Sequence, residues 1–189
     1  SSNLGDHDRH RFAVTAIPTY ERKAWSASAG ARVELMEGGN AYTLPVAQLT
    51  HVLSPHTSLS VSHAASVRRP SYTELNYESP ASLGNAGLAN QESGTTDIDL
   101  LFAAPRYGID GSAGVFYRTT RDTVDWVRRT SGSARWEAEN IGTENTLGAD
   151  AELRYDAGRD LNLAIYGAVL ERTDDAGNYT QIGFLPWVG

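Results

Sequence analysis

The sequence predicts an all-β fold, and more narrowly an antiparallel up-and-down transmembrane β-barrel segment. Three observations predict it. Apolar and polar residues alternate with a period of two, the alternating stretches run for about 10–13 residues, and the connections between them are short and long in turn. A tilted strand needs about 9–11 residues to cross a bilayer, whereas strands of globular proteins most often have roughly 5–6 residues.

The alternation gives each predicted strand one apolar side and one polar side, because successive side chains of a strand point to opposite faces. In residues 147–156 the apolar side carries Leu147, Ala149, Ala151, Leu153 and Tyr155. Charged residues occupy the polar sides of several strands, and the set comprises Arg32, Glu34, Asp97, Asp99, Arg118, Asp150, Glu152 and Arg154. An Arg or Lys at mid-membrane on the lipid face costs about 2–4 kcal/mol, so these side chains are predicted to face the lumen.

Eight strands follow from the alternation, near residues 10–20, 24–36, 42–53, 57–67, 94–105, 111–125, 144–155 and 159–171. A ninth strand begins within residues 179–188. Pro18 and Pro45 weaken the first and third predictions, because proline cannot donate to the hydrogen-bond ladder of a sheet. No long amphipathic helical pattern competes with the strands, and Gly and Asp in the connections favour turns.

The connections form two sets when they are taken alternately. One set contains only short connections, such as "ERK", "SPH" and "DAGR", while the other contains the long residues 68–93 and 127–143. Neighbouring antiparallel strands place alternate connections at opposite ends of a sheet, and outer-membrane barrels combine short periplasmic turns with long extracellular loops. Connections longer than about 12–15 residues are usually functional, so the long set predicts the end that meets a ligand.

Composition excludes several classes of protein. The formal net charge of −7 argues against a nucleic-acid partner. The absence of cysteine excludes a disulfide scaffold, a Cys-ligated metal and a Cys nucleophile. No apolar run is long enough for a transmembrane helix. The polar start "SSNLGDHDRH" contains no signal peptide, which predicts a cytoplasmic chain, a processed chain or a piece of a larger one.

Soluble folds remain open on the residue pattern alone. Alternating strands also describe a soluble secreted eight-stranded β-barrel that binds a small ligand inside, with its apolar face turned inward. A β-rich surface adhesin is a third interpretation. The transmembrane and soluble interpretations differ in which face of the sheet meets water.

Four blocks of sequence carry a resemblance to a known family. The first reads Arg69-Pro70-Ser71-Tyr72-Thr73-Glu74-Leu75-Asn76-Tyr77, followed by Gly84-Asn85, Leu88, Glu92 and Ser93. The others are "LGDHDRHRFAV" near the start, "VFYRTTRDTVDWV" (115–127) and "AENIGTENTLGADAELRY" (138–155). Taken in their order along the chain, the four blocks resemble the barrel of TonB-dependent outer-membrane receptors, whose members often read R-x-P-S-[YF]-T-E-L-Y-Y and then G-N-P-x-L-x-P-E-x-S. Both prolines of that second motif are absent here.

The resemblance implies that residues 1–189 are a partial β-barrel domain, about eight to nine strands of a larger barrel. Family barrels have about 22 strands. The amino-terminal plug, the TonB box and the closing strands of the family are absent from this sequence.

The resemblance also implies a function. It indicates part of a TonB-dependent receptor for active uptake of a scarce nutrient complex, of the iron–siderophore or cobalamin type, in the outer membrane of a Gram-negative bacterium. The implied partners are outer-membrane lipid, the small nutrient complex and the TonB complex, which acts through the missing plug. No cofactor, no enzymatic activity and no nucleic-acid partner is expected.

Four residues of the long connection are the predicted ligand contacts, because Arg and aromatic side chains dominate recognition surfaces: Arg68, Arg69, Tyr72 and Tyr77. Arg69 and Tyr72 lie beside a strand end, so they also fit a structural role in which they pin the loop to the barrel rim.

Other polar and aromatic groups favour structural interpretations. The run "GDHDRH" matches no closed zinc spacing, so no metal site is predicted. Asp97 and Asp99 are interpreted as lumen lining and not as a glycosidase pair, and the scattered histidines form no Ser–His–Asp arrangement. The four tryptophans are interpreted as an interfacial girdle or as packing: Trp25, Trp126, Trp136 and Trp187. Trp126 and Trp136 are expected just outside the ends of predicted strands.

Overall fold

Antiparallel strands make up most of the regular structure. The structure, a computed structural model, describes residues 8–36, 40–128, 135–158, 161–175 and 179–188. The strands are β1 (Arg11–Ala16), β2 (Thr19–Arg22), β3 (Trp25–Met36), β4 (Ala41–Ser54), β5 (Thr57–Arg68), β6 (Ser82–Leu83), β7 (Gln91–Ala104), β8 (Ile109–Arg121), β9 (Val124–Val127), β10 (Trp136–Asn140), β11 (Glu144–Asp156), β12 (Asn162–Asp174) and β13 (Tyr179–Val188). A short α-helix, α1 (Tyr72–Asn76), and a 3₁₀ turn (Pro105–Tyr107) complete the described elements. Neither is long and apolar enough to cross a membrane.

Ten strands form one large sheet in the order β1-β3-β4-β5-β7-β8-β11-β12-β13, with β2 also paired to β3. Every pairing in this sheet is antiparallel, and sheet neighbours follow one another along the chain. Connections therefore alternate between the two ends of the sheet. The predicted up-and-down order is confirmed, and in the described residues the sheet stays open between β1 and β13.

Proline interrupts the first predicted strand without changing its register. Residues 10–20 form β1 and β2, and both pair with β3, through Ala16↔Ala31 and Thr19↔Ser28. These two pairs belong to one continuous register, so the gap at Ile17 and Pro18 is a local loss of pairing. Pro18 has no N–H to donate, which accounts for the interruption.

The second proline opens a seam between two neighbouring strands. Pro45 lies inside β4 and faces Ala31 of β3. On the other side of β4, the ladder to β5 begins only at Val46↔Ala64. Residues 41–45 therefore pair only with β3, and residues 65–68 pair only with β7. We call the facing edges of residues 41–45 and 65–68 the seam.

Tight connections occupy one end of the sheet, which we call the turn end. The connection from β7 to β8 uses the 3₁₀ turn followed by Gly108, which has a left-handed φ of 65°. The Gly108 carbonyl accepts a 2.7 Å hydrogen bond from the Asp156 N–H, so this turn is bonded to the end of β11. A Cβ at Gly108 would lie 2.0 Å from the Asp156 carbonyl oxygen.

Gly108→Ala is expected to lower the free energy of unfolding by at least about 1–3 kcal/mol, because it combines a left-handed non-glycine residue with a backbone clash. Gly158→Ala is the matched control: its φ is 102°, but a Cβ there meets none of the described atoms within 4 Å. Urea unfolding of the detergent-solubilised protein measures both. Equal losses in the two variants would contradict the role of the close approach to Asp156.

The long connections at the other end, the loop end, contain a second sheet. Its order is β6-β10-β9, with β6 from the connection between β5 and β7, and β9 and β10 from the connection between β8 and β11. β6 pairs parallel with β10, while β9 pairs antiparallel with it. We call the described parts of residues 69–90 and 122–143 the cap.

The cap corrects three expectations about boundaries. β8 ends at Arg121, and residues 124–127 leave the large sheet to form β9, so the predicted strand 111–125 runs too far. β7 begins at Gln91 and not at residue 94. Trp126 and Trp136 lie within β9 and β10, and not outside strand ends.

Candidate functional site

The register assigns every residue of the large sheet to one of two faces, because residues directly opposite on neighbouring strands share a face. Asp97 faces Ser62 on β5 and Phe116 on β8, for example. Followed across all strands, the pairs place the eight charged residues singled out in the sequence on one face: Arg32, Glu34, Asp97, Asp99, Arg118, Asp150, Glu152 and Arg154. We call this the polar face and the opposite one the apolar face.

Three carboxylates meet at the middle of the polar face. A Cβ on Gly114 would lie 2.5 Å from Oδ1 of Asp99 and 3.6 Å from Oδ2 of Asp150, so both acids flank this glycine. Ser62 donates to Asp97 at 3.4 Å. Within the described ranges none of these three acids forms an ion pair with a cation, and no group of His, Asp and Glu has the arrangement of a metal site.

Ion pairs occupy the two ends of the polar face. Near the loop end, Arg32 lies 2.6 Å from Glu34, which is only 4% exposed. Near the turn end, Arg154 lies 2.7 Å from Glu152 and 3.9 Å from Asp110. Ion pairs therefore occupy the two ends of this face, while the three acids between them have no cationic partner among the described residues.

The apolar face is exposed, and no other described part of the chain packs over it. Val115 is 50% exposed, Leu153 43% and Leu163 41%. The same face carries further exposed aliphatic side chains: Val33, Leu35, Leu49, Leu59, Val61, Ile98, Leu100, Leu147, Ile165 and Val169. Soluble monomers rarely expose a contiguous apolar patch larger than a few hundred Å², so this face requires a partner surface.

Polar and aromatic residues mark the two borders of the apolar face. At the loop end Tyr117 and Thr119 both donate to Oδ1 of Asn145, at 2.9 and 3.0 Å. At the turn end the Trp25 ring stacks on His51 with the ring centroids 3.9 Å apart. Aromatic girdles at both borders of an apolar band are typical of membrane barrels.

The R-P-S-Y-T-E-L block forms a capped helix that is clamped to the sheet. The Ser71 hydroxyl accepts from the Glu74 N–H at 3.2 Å, and the Glu74 carboxylate accepts from the Ser71 N–H at 2.6 Å. Arg68 at the end of β5 donates two 3.0 Å bonds to the same carboxylate and a further bond to Gln91. Glu74 thus joins α1 to the large sheet.

Glu74 gives the cap a predicted pH dependence. Partial burial acts to raise the pKa of Glu74, but hydrogen bonds from Arg68 and Ser71 outweigh it, so the pKa lies below its ordinary value of 4.5. A carboxyl whose pKa is lower in the folded state stabilises that state above the unfolded pKa, and this contribution is lost as pH falls through the folded pKa.

We expect a nitroxide at exposed Thr73 to become mobile as the pH is lowered from 4.5 through the folded pKa of Glu74. Electron paramagnetic resonance line shapes measure the mobility. In Glu74→Gln, which keeps the shape but not the charge, the label is expected to be equally mobile at both ends of this range. An unchanged pH profile in that variant would contradict the assignment to Glu74.

The predicted ligand contacts are all engaged within the chain. Arg9 donates to the Pro70 carbonyl at 2.6 Å, and its guanidinium lies 3.8 Å from the centre of the Tyr72 ring. Arg69 also has an intramolecular partner. Tyr77 is half-buried, and its carbonyl accepts from Gly84 at 2.6 Å. The geometry supports the pinning role for this loop, while ligand contact by these four residues stays a prediction.

The Gly84-Asn85 pair docks on the end of α1. Asn85 donates from its N–H to the Glu74 carbonyl at 2.8 Å. A Cβ on Gly84 would lie 2.8–2.9 Å from backbone atoms of Tyr77, Asn76 and Leu75. Glycine is therefore required at this position by the close backbone approach.

Asn140 joins the two long connections and was not singled out in the sequence. Its side chain accepts from the Ala89 N–H at 2.9 Å and donates to the carbonyls of Ala89 and Asp122 at 3.3 and 2.7 Å. Ala138, beside it on β10, is fully buried. The cap is thus one packed unit, and Asn90 extends it over the polar face through a 2.7 Å bond to Tyr42.

An exposed aromatic and basic pair lies on the cap and was also missed. The Arg128 guanidinium lies 4.7 Å from the centre of the Trp136 ring, and Trp136 is 41% exposed. The sequence signal was the paired tryptophans and arginines of residues 126–136, interpreted there as girdle or packing.

Comparison with known proteins gives one family match. Residues 2–186 match the family model described as TonB dependent receptor-like, beta-barrel. No curated protein matches the chain.

Solved structures share the fold at low sequence identity. The siderophore receptor PirA from Pseudomonas aeruginosa is 14% identical with a TM-score of 0.69, over 86% of this chain and 32% of that one. The alcaligin outer-membrane receptor FauA from Bordetella pertussis is 14% identical with a TM-score of 0.63, over 91% and 32%. The FrpB iron transporter from Neisseria meningitidis is 16% identical with a TM-score of 0.59, over 88% and 27%. The chain therefore spans about a third or less of these structures.

Proposed function

The chain belongs to the family of TonB-dependent receptor β-barrels, and on that premise we propose that it forms part of the wall and mouth of an outer-membrane receptor for active uptake of a scarce nutrient. The family is one of transport receptors and not of enzymes. The observation that carries the proposal is the separation of charge between the two faces of one long-stranded, uncovered sheet.

In the proposed arrangement the apolar face contacts lipid and the polar face lines the lumen. Support comes from the exposed aliphatic side chains between the Tyr117 and Trp25 borders, and from the acids around Gly114 on the other face. The reverse arrangement would turn Arg118 and Arg154 towards lipid, where an arginine costs about 2–4 kcal/mol at the midplane and about 0–1 kcal/mol near the borders.

The rest of the receptor is also part of the proposal. Residues 1–189 would supply eight to nine strands of a larger barrel, with the plug and the closing strands contributed by other segments of the complete gene product. The plug would be the part that the TonB complex pulls during transport.

The ligand is proposed to be an iron–siderophore complex, with cobalamin as the second candidate. Support for iron comes from the structural neighbours, one of which is a siderophore receptor by name and one an iron transporter. The cap would contact the ligand first. Its exposed cation–aromatic pair, Arg128 and Trp136, is the proposed first point of contact.

Uptake of a radiolabelled ferric siderophore by a gene-deletion strain tests the proposal. Restoring the complete gene is expected to restore uptake in a host with TonB, and only surface binding in a host without TonB. Recovery of the protein from the culture medium without detergent, with no uptake in either host, would instead favour the soluble secreted barrel.

A further inference from the structure

A hollow opens on the apolar face beside the seam. It is a cavity of about 410 Å³ lined from β4, β5, β7 and β8, including Pro45, His63, Glu92, Gly94, Thr96 and Arg121. Two features create it. Residues 41–45 and 65–68 are not paired with each other, and Gly94 has no side chain to fill the space beside His63.

The hollow lies where the apolar face changes to polar, as four successive rows across β5, β7 and β8 demonstrate. From mid-sheet towards the loop end, the rows are Val61–Ile98–Val115, His63–Thr96–Tyr117, Ala65–Gly94–Thr119 and Val67–Glu92–Arg121. The first row is entirely aliphatic, and the fourth ends in a carboxylate and a guanidinium. A lipid molecule has the same gradient from acyl chain to headgroup.

The polar groups around the hollow include unused hydrogen-bonding capacity. The Nδ1 atom of His63 forms a 2.9 Å hydrogen bond with the Thr96 hydroxyl, while its Nε2 atom lies on the side of Gly94. Glu92 and Arg121 face each other in the ladder, yet neither forms an ion pair or a side-chain hydrogen bond with the described part of the chain. Along the seam, the backbone N–H and C=O groups that face each other between β4 and β5 form no ladder hydrogen bonds with one another.

We propose that this hollow binds the headgroup of one membrane lipid that carries both a phosphate and hydroxyl groups. Arg121 and His63 would donate to the phosphate, and Glu92 would accept from a hydroxyl group. The acyl chains would lie along the Val61–Ile98–Val115 row. This inference rests on the proposed membrane location of the apolar face.

Filling the hollow is the first test. Gly94→Val fills the space beside His63, because among the described residues a Cβ at this position would contact only His63 Cε1 and Nε2, at 3.4 and 3.8 Å. Gly167→Val is the matched control, since Gly167 lies on the same face of the sheet in β12 and a Cβ there meets no described atom within 4 Å. Both variants are made in the complete gene product and purified in detergent with added phosphatidylglycerol.

Native mass spectrometry counts the lipid molecules that each protein retains. The wild-type protein and Gly167→Val are expected to retain one phosphatidylglycerol tightly, and Gly94→Val to lose at least about tenfold in affinity, as expected when several polar contacts are blocked. Equal retention by Gly94→Val and Gly167→Val would overturn the proposal.

Removing the positive charge is the second test. Arg121→Gln is expected to weaken phosphatidylglycerol about tenfold, the size of a lost charge-assisted hydrogen bond, and to leave digalactosyl diacylglycerol, which has hydroxyl groups but no phosphate, unchanged. Equal effects on both lipids would overturn the phosphate assignment. Displacement of the lipid by millimolar inorganic phosphate would identify a free-anion site and overturn the lipid assignment.

The same spectra separate this inference from the proposed function. If loosely held annular lipid is present in all variants but Gly94→Val has no effect, only the lipid site is wrong. If no variant carries any lipid and all remain soluble without detergent, the membrane location itself is wrong.

Discussion

Val61→Arg is expected to prevent most of the complete gene product from assembling in the membrane, while Ser62→Arg assembles normally. The two residues are adjacent on β5, at the same depth and on opposite faces, with Val61 facing Ile98 and Ser62 facing Asp97. An arginine on the lipid side near the midplane costs about 2–4 kcal/mol, which lowers the assembly equilibrium about 30-fold to 1,000-fold.

Ser62→Arg is the matched control because it introduces the same side chain. On the polar face it would lie beside the Asp97 carboxylate, which now accepts a 3.4 Å hydrogen bond from Ser62. A pair of this kind in water changes stability by less than about 1 kcal/mol. The assembled fraction is measured by the heat-dependent gel mobility of membrane extracts. A larger defect in Ser62→Arg than in Val61→Arg would reverse the assignment of the faces.

Gly84→Ala is expected to release the cap and leave the large sheet intact. Three backbone atoms lie within 2.9 Å of the position that the new Cβ would take, and backbone does not yield as a flexible side chain does. We expect a loss of about 1–3 kcal/mol in cap docking, the usual cost of overpacking. Hydrogen exchange should accelerate in residues 72–88 and stay unchanged in β11 and β12.

Gly87→Ala is the control for this second variant. It lies in the same connection, but its Cβ would meet only the Asn85 side-chain oxygen, at 3.2 Å. Exchange in residues 72–88 is expected to stay near that of the wild type. Equal acceleration of exchange in the two variants would mean that the loss of glycine's backbone freedom, and not a clash with α1, releases the cap.

The strands and their order were predictable because their signals are local. The alternation of apolar and polar residues is visible within ten residues, as in 147–156, and the short and long connections can be sorted within a few tens of residues. Because up-and-down pairing joins successive strands, these local signals also predict the strand order. The same alternation identified which side chains share a face. It was insufficient to decide between lipid and a soluble core, since both bury an apolar face.

The cap was not predictable in the same way because its contacts are distant in sequence. Arg9 reaches Pro70 and Tyr72, and Asn140 reaches Ala89. No periodicity or spacing signals such pairs. Arg9 lies in a run that was examined for metal ligands, and Asn140 lies in a block that was quoted only for its resemblance.

The effect of Pro45 on β4 was only partly predictable from the sequence. Pro45 was expected to weaken a strand, and β4 nevertheless runs from Ala41 to Ser54. Its hydrogen bonds to β3 continue past the proline, while the ladder to β5 stops beside it. The proline therefore affects one edge of the strand, which the sequence alone does not specify.

Nitroxide accessibility along β8 and β11 is the most direct test of the two-faced wall. Residues 1–189 contain no cysteine, so once any cysteine elsewhere in the receptor has been replaced, single labels can be placed at Val115, Leu153, Arg118 and Asp150 in lipid bilayers. We predict that labels at Val115 and Leu153 collide mainly with lipid-soluble oxygen, and labels at Arg118 and Asp150 mainly with a water-soluble nickel chelate. The opposite pattern, or water access at all four positions, would contradict the account.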